Sequence, residues 1–281
     1  MGAWVYDAVI GQGRRARQED DYGVFELPPE LDAGDLLLVL ADGMGGAQAG
    51  AQASALAVRS FIETYDRVIA DAIPERLERT LMHVNERMAW EVATDPDQLG
   101  GMGCTLLAVV LAVEGLYWIS VGDSPLWLWQ RGRLRRLNQD HAYRSVLAHQ
   151  VSHGEISAAD AAQHPDRNAL ISALTGDELD LVDLPRQART LEPGDQILLA
   201  SDGVLTLDER EIAAVLAGGV SGEAGPCQRL LAAVTARQCA YQDNITVLWV
   251  RSARAPAPVK VSLWRRWWQR LERGQTGEQV S

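Results

Sequence analysis

The apolar residues of this chain are gathered into short runs, and that habit excludes most architectures. Seven stretches, 4–10, 35–41, 105–113, 116–121, 126–130, 196–200 and 244–250, hold five to nine residues each and are rich in leucine, β-branched and aromatic side chains. Such lengths suit buried strands and fall well short of the roughly 20 residues that a membrane-crossing helix needs. Between them, 51–65 and 74–93 space their apolar residues as amphipathic helices do. Shorter helices are expected at 142–150, 157–163, 208–217 and 226–237, with Ser157 and Asp208 as N-caps. The resulting order is strands, two long helices, a strand meander, short helices, strands, helices and a closing strand. A parallel sheet would need strict strand–helix alternation, so the pattern predicts α+β layers: antiparallel sheets with helices packed outside.

At 281 residues and 47% apolar content the chain can bury one large core without disulfides or metals as staples. Its net charge of −12 would repel a phosphate backbone, which argues against nucleic-acid partners. The charge is uneven. Residues 251–281 carry seven basic groups against Glu272 and Glu278, so the remainder is more acidic than the total suggests. Proline and small residues at 252–262 read as a linker, dividing the chain into a domain at 1–251 and a basic, tryptophan-rich tail at 252–281. Three cysteines without a CxxC pair suit a reducing compartment. With no basic-then-apolar leader at the start, the expected location is cytoplasmic.

The chemistry points to acids. Glu19-Asp20, Asp42-Gly43, Asp202-Gly203 and Asp243-Asn244 stand where apolar segments begin or end, and in three of these a strand delivers the carboxylate to a loop. Taken singly, each is more simply a turn former, since Asp-Gly is a common turn dipeptide. If they converge, their mutual repulsion must be relieved by protonation or by cations, and an all-oxygen set suits Mg2+ or Mn2+ better than zinc.

The order RRARQED, LADGMGG, GGMGCTL, SVGDS, LASDG, QDNIT across residues 5–250 resembles the metal-dependent serine/threonine protein phosphatases of type 2C in their compact bacterial form. The resemblance implies an α-β-β-α sandwich with two Mn2+ or Mg2+ ions in a cleft at the sheet edges. Asp42 would bridge the two ions and the Gly43 carbonyl would bind one of them. Asp202 and Asp243 would hold the other. Glu19 would act on the Gly43 side, directly or through water, with Asp20 beside it. Asp123 matches the acid used with Asp202 at a weaker third position. A hydroxide bridging the ions would attack phosphorus, with Arg15 orienting the phosphate; Arg14 and Arg17 are neighbouring candidates for that role. Catalytic weight therefore falls on Arg15, Asp42 and Asp202. A phosphocysteine mechanism is excluded, because the positions six beyond Cys104, Cys227 and Cys239 hold Val110, Ala233 and Ile245 rather than arginine.

Two departures stand out. Met44 replaces a histidine that many relatives place after the first Asp-Gly, and Pro125 replaces the arginine of the usual GDSR, removing a basic side chain near the third position. Residues 141–176 resemble the family's flap. Their histidines, His141, His149, His153 and His164, show no zinc motif and read as surface or structural. In the tail, Trp264, Trp267, Trp268 and Leu271 share a helical spacing with arginines between them, which suits a protein partner, a membrane surface or the acidic domain itself. The implied substrates are phosphoproteins made by a Ser/Thr kinase. A phosphatase dedicated to one regulatory protein shares that chemistry, and a non-catalytic phosphoprotein-binding scaffold is the alternative from a different class.

Overall fold

In a computed structural model, which describes residues 4–45, 49–218 and 224–252, the apolar runs pair into two five-stranded sheets. In chain order the elements are β1 (Trp4–Gly11), β2 (Asp20–Glu26), β3 (Leu36–Met44), α1 (Ala49–Arg67), α2 (Ile73–Thr94) and the one-turn α3 (Pro96–Leu99). Then come β4 (Gly103–Cys104), β5 (Leu106–Ala112), β6 (Gly115–Val121), β7 (Leu126–Gln130) and β8 (Arg133–Arg136). The chain closes with α4 (Tyr143–Ser152), α5 (Ala158–Gln163), β9 (Gln196–Ala200), α6 (Glu209–Ala217), α7 (Pro226–Ala236) and β10 (Ile245–Ser252). The first sheet runs β1-β10-β9-β7-β8 and the second β2-β3-β5-β6, with β4 pairing beside β3. Every ladder is antiparallel.

The strands read as continuous apolar runs because both of their faces are covered. In β3, Leu36, Leu38 and Leu40 pack with Leu107, Val109, Ile197, Leu199 and Leu248 between the sheets. The alternate residues Leu37, Val39 and Ala41 pack outward against Phe61, Leu77, Leu81 and Met88 of α1 and α2. On the first sheet, Leu198, Val247 and Trp249 meet Ile212 and Leu216 of α6 and Leu230 and Val234 of α7. The layer order is α-β-β-α, the expected sandwich.

Three details differ from the sequence reading. β3 does not stop at Ala41 but continues through Asp42 and Gly43 to Met44, because Gly43 and Met44 pair with Cys104 and Gly103. β2, with its mixed sequence DDYGVFE, is a strand because it pairs in full register with β3. β8, the polar RLRR, is a strand at the sheet edge, held by β7 alone. The two caps stand as expected: Ser157 accepts from Asp160 N, and Asp208 forms a reciprocal capping box with Glu211.

Candidate active site

The acids come together at one end of the sandwich, with contributions from both sheets. Asp20 and Asp42 are direct partners across β2 and β3. Asp202 follows β9 after Ser201 and opens a 3-10 turn, Asp202–Thr206; Asp243 lies just before β10, and Asp123 in the loop between β6 and β7. Hydroxyls lock the two sheets at this point: Ser201 Oγ and Thr246 Oγ1 each donate to Asp20 Oδ2 at 2.8 Å. The other oxygen, Asp20 Oδ1, is buried without a hydrogen-bond partner.

Backbone contacts fix the remaining acids. Asp42 N donates to Thr105 Oγ1 at 3.0 Å, Thr105 N donates to Asp42 O at 2.8 Å, and Thr105 Oγ1 lies 2.7 Å from Ser124 Oγ. Gly43 N donates to Glu19 O, and a Cβ on Gly43 would stand only 2.2 Å from Gly50 O and 2.4 Å from Glu19 O. Only glycine allows strand, loop and helix start to approach so closely. Asn244 clasps the 12–19 loop: its Oδ1 accepts from Glu19 N at 2.8 Å while its Nδ2 donates to Gln12 O and Arg17 O. Arg15 stands at the rim, with Nη2 2.5 Å from Asp243 Oδ2 and its side chain 57% exposed.

Burial, reinforced by the charges of Asp20, Asp202, Asp123 and Asp243, pushes the Asp42 carboxyl well above the usual carboxylate range. Burial and then the charges of Asp123 and Asp243 raise Asp202 to about 7. Asp20 rises to about 6, chiefly through burial, with the Ser201 and Thr246 hydroxyls working in the opposite direction. Among the described residues no three acids, histidines or cysteines close tightly enough to form a ready-made metal cage. The mutual charge effects still place these carboxylates within electrostatic reach of one another. The donors are all oxygens, and one buried carboxylate oxygen lacks a donor, so the set fits a hard divalent cation.

Asp123 is already engaged. Its Oδ2 accepts from Arg144 Nη2 at 2.8 Å, and its carbonyl accepts from Arg136 Nη2 at 2.9 Å. Asp140 Oδ2 joins the two arginines, at 2.8 Å from Arg144 Nε and 3.0 Å from Arg136 Nη1. Basic groups thus reach Asp123 from β8 and α4 although Pro125 supplies none. Neither arginine stood out in the sequence, because nothing local connects RLRR or HAYRS to an acid 13 or 21 residues earlier. Asn244, Thr105, Ser201 and Thr246 all lay inside the ordered motifs, but their roles were missed because nothing local shows which backbone or carboxylate groups they bond.

The 141–176 segment is pinned at both ends by bridges pairing Ala142 with Leu170 and Cys104 with Leu174. His141 is buried, with its Nδ1 accepting from Gly122 N; His149 and His153 are exposed and stack on each other. These are structural and surface roles, as expected. The tail residues Trp264, Trp267, Trp268 and Leu271 lie outside the described residues.

The model of the family described as "Protein phosphatase 2C" matches residues 14–224. The serine/threonine phosphatase Stp of Listeria innocua is 34% identical over 246 residues, covering 84% of this chain and 90% of that protein. The crystal structure of the Mycobacterium tuberculosis phosphatase PstP/Ppp superposes with a TM-score of 0.72 at 31% identity, covering 89% of this chain and 99% of that one. A structure of the PstP catalytic domain in complex with two manganese ions gives a TM-score of 0.69 at 31% identity, over 88% of this chain and 97% of that one.

Proposed function

This chain belongs to the protein phosphatase 2C family and is a serine/threonine protein phosphatase; on that premise we propose that it hydrolyses phosphoserine and phosphothreonine at the acidic cluster spanning the two sheet edges. The observation that carries this reading is the gathering of Asp20, Asp42, Asp123, Asp202 and Asp243: burial opposes ionisation of Asp20, Asp42, Asp123 and Asp202, and the charges of neighbouring acids add to it at Asp20, Asp42 and Asp202. Such a cluster is costly to a fold unless cations compensate it.

Asp42 would be shared between two ions, with the Gly43 carbonyl and Glu19 completing one side and Asp202 and Asp243 the other. Asp20, next to Glu19 in the chain, is fixed by its hydroxyl clasp, and the charge of Asp123 reaches Asp202. Two Mn2+ or Mg2+ ions bound there supply the acidity that lets water attack phosphorus at neutral pH, together with charge neutralisation at the phosphoryl oxygens. Arg15, held at the rim by Asp243, presents a planar guanidinium to the incoming phosphate, which it can grip through two oxygens. Thr105 and Asn244 keep Asp42 and Glu19 in register by holding their main chain.

Residues 1–251 form the catalytic unit in this reading, and 252–281 a tail that contacts a protein partner or a membrane surface. The substrates are phosphoproteins, the opposing enzyme is a Ser/Thr kinase, and the compartment is the cytoplasm. None of the helices among the described residues is long and apolar enough to cross a membrane.

The test is Mn2+-dependent hydrolysis of a phosphothreonine peptide by the purified protein. Activity should vanish with chelator and fall at least a hundredfold in Asp42→Asn and Asp202→Asn. Full activity in either variant would sink the mechanism, and failure of the wild type to bind Mn2+ in calorimetry would favour a phosphoprotein-binding scaffold.

A further inference from the structure

We propose that Arg144 is a positioning residue that occupies Asp123 with its own guanidinium, so that the centre of this phosphatase binds two divalent ions and not three. The inference rests on the metal-centre reading above and concerns a residue that reading does not use.

The geometry is that of a built-in ion pair rather than a surface contact. Side-chain exposure is 5% for Asp123 and 15% for Arg144, and the two approach to 2.8 Å. Arg144 is anchored from two directions, Nη2 on Asp123 and Nε on Asp140. Asp140 is itself held by Arg136 and by the amide of Ala142, which its Oδ1 accepts just before α4 begins. Arg136 also donates to the main-chain carbonyl of Asp123, so the loop carrying this acid is fixed at both carbonyl and carboxylate. The guanidinium influences Asp202 as well, opposing the upward shift imposed there by burial and by the Asp123 and Asp243 charges.

A dication at Asp123 would have to displace Arg144 or lie against its positive charge. Displacement would leave a largely buried guanidinium bonded only to Asp140, and would break the direct tie between the first turn of α4 and Asp123. Both costs oppose a third ion. A fixed arginine also differs from an exchangeable cation in one respect: its occupancy of Asp123 does not depend on the concentration of free metal. The same contact ties α4, the start of the flap segment, to the edge of the acidic cluster.

The measurement is Mn2+ stoichiometry of the full chain by calorimetry, with manganese electron paramagnetic resonance as an activity-independent count. Wild type should bind two ions. Arg144→Ala should bind a third, and Arg144→Ala combined with Asp123→Asn should return to two. Arg144→Lys, which restores a cation, should also stay at two, whereas Arg144→Gln, which keeps bulk and a donor but removes the charge, should bind a third and covers the case in which the alanine variant fails to fold; a count of two in a folded Arg144→Gln would overturn the proposal. Three ions in wild type, with one lost in Asp123→Asn, would overturn the proposal while leaving the two-ion centre intact. A count of two in a folded Arg144→Ala would also overturn it. No ion in wild type would remove the metal-centre reading, and this inference with it.

Discussion

Gly203 offers a severe and local probe of the site. A Cβ built on it would lie 2.0 Å from Asn244 O and 3.0 Å from Asn244 C, both main-chain atoms that cannot rotate away. The clash is steric and does not depend on an unusual φ. To reach even the tightest tolerated separation of 3.0 Å, the turn that begins at Asp202 and the start of β10 must part by about 1 Å. Gln242 resists that movement, since its Nε2 donates to Gly203 O at 3.0 Å. Overpacking of this kind costs about 1–3 kcal/mol, or roughly 2 to 12 °C in melting temperature for a domain of this size. The larger effect should be on function, because the displacement separates Asp202 from Asp243, and a misplacement near 1 Å can cost about 10²-fold in rate. We expect Gly203→Ala to remain folded, to bind Mn2+ at least tenfold more weakly and to lose about two orders of magnitude in kcat/KM on a phosphothreonine peptide. A variant with wild-type melting temperature, Mn2+ affinity and kcat/KM would refute the argument that the main-chain approach between Gly203 and Asn244 sets the spacing of the two acids.

Other outcomes follow from the buried acids and the caps. Asp20 and Asp202 have folded-state values near 6 and 7, above the ordinary carboxylate range, so the folded protein holds protons there that the unfolded chain releases. Chelator-treated protein should therefore lose stability as pH rises from about 4 to 7, and Asp202→Asn should flatten that slope in thermal melts; a melting temperature that climbs across this window would contradict the assignment. Mn2+ affinity should run the opposite way, strengthening as pH rises through the same values, because ligation requires the deprotonated acids. Thr246→Val removes one of the two hydroxyls that stabilise ionised Asp20 and should shift the Mn2+-binding pH profile upward; an unchanged profile would mean that the clasp holds Asp20 in place without tuning it. Asp208→Ala deletes the capping box of α6 and should cost about 1 kcal/mol in denaturant unfolding while leaving kcat/KM unchanged.

What the sequence revealed, and what it hid, follows the range of the interactions involved. Runs such as LLLVLA and QILLA carry their own strand signal, and the spacing in α1 and α2 carries their helical one. The ends of these elements do not. β3 outlasts its apolar run because Gly103 and Cys104 return from sixty residues away to pair with Met44 and Gly43, and β2 is strand only through its partner. The clustered acids were legible because Asp-Gly and Asp-Asn at strand ends form an ordered series. The groups that hold them were not. Thr105, Ser201, Thr246 and Arg144 are ordinary residues locally and become important only when two sheets and a helix meet. Arg144 is the sharpest case, since the substitution noticed at Pro125 suggested a missing cation, whereas the fold supplies one from α4.

The pairing of β1 with β10 carries a consequence for how the molecule comes into being. Trp4 lies opposite Ser252, so the first strand made must await the last before its ladder can form. Asp202 and Asp243 likewise belong to the final portion of the chain, whereas Glu19, Asp20 and Asp42 are made early. During synthesis the early acids have no opposing hydroxyl clasp, because Ser201 and Thr246 do not yet exist. Such widely separated pairings are slow to form. A chain arrested before residue 245 has every described helix and the whole β2-β3-β5-β6 sheet but lacks the strand that joins β1 to β9, so the acidic cluster closes in a single late step, when β10 pairs between them.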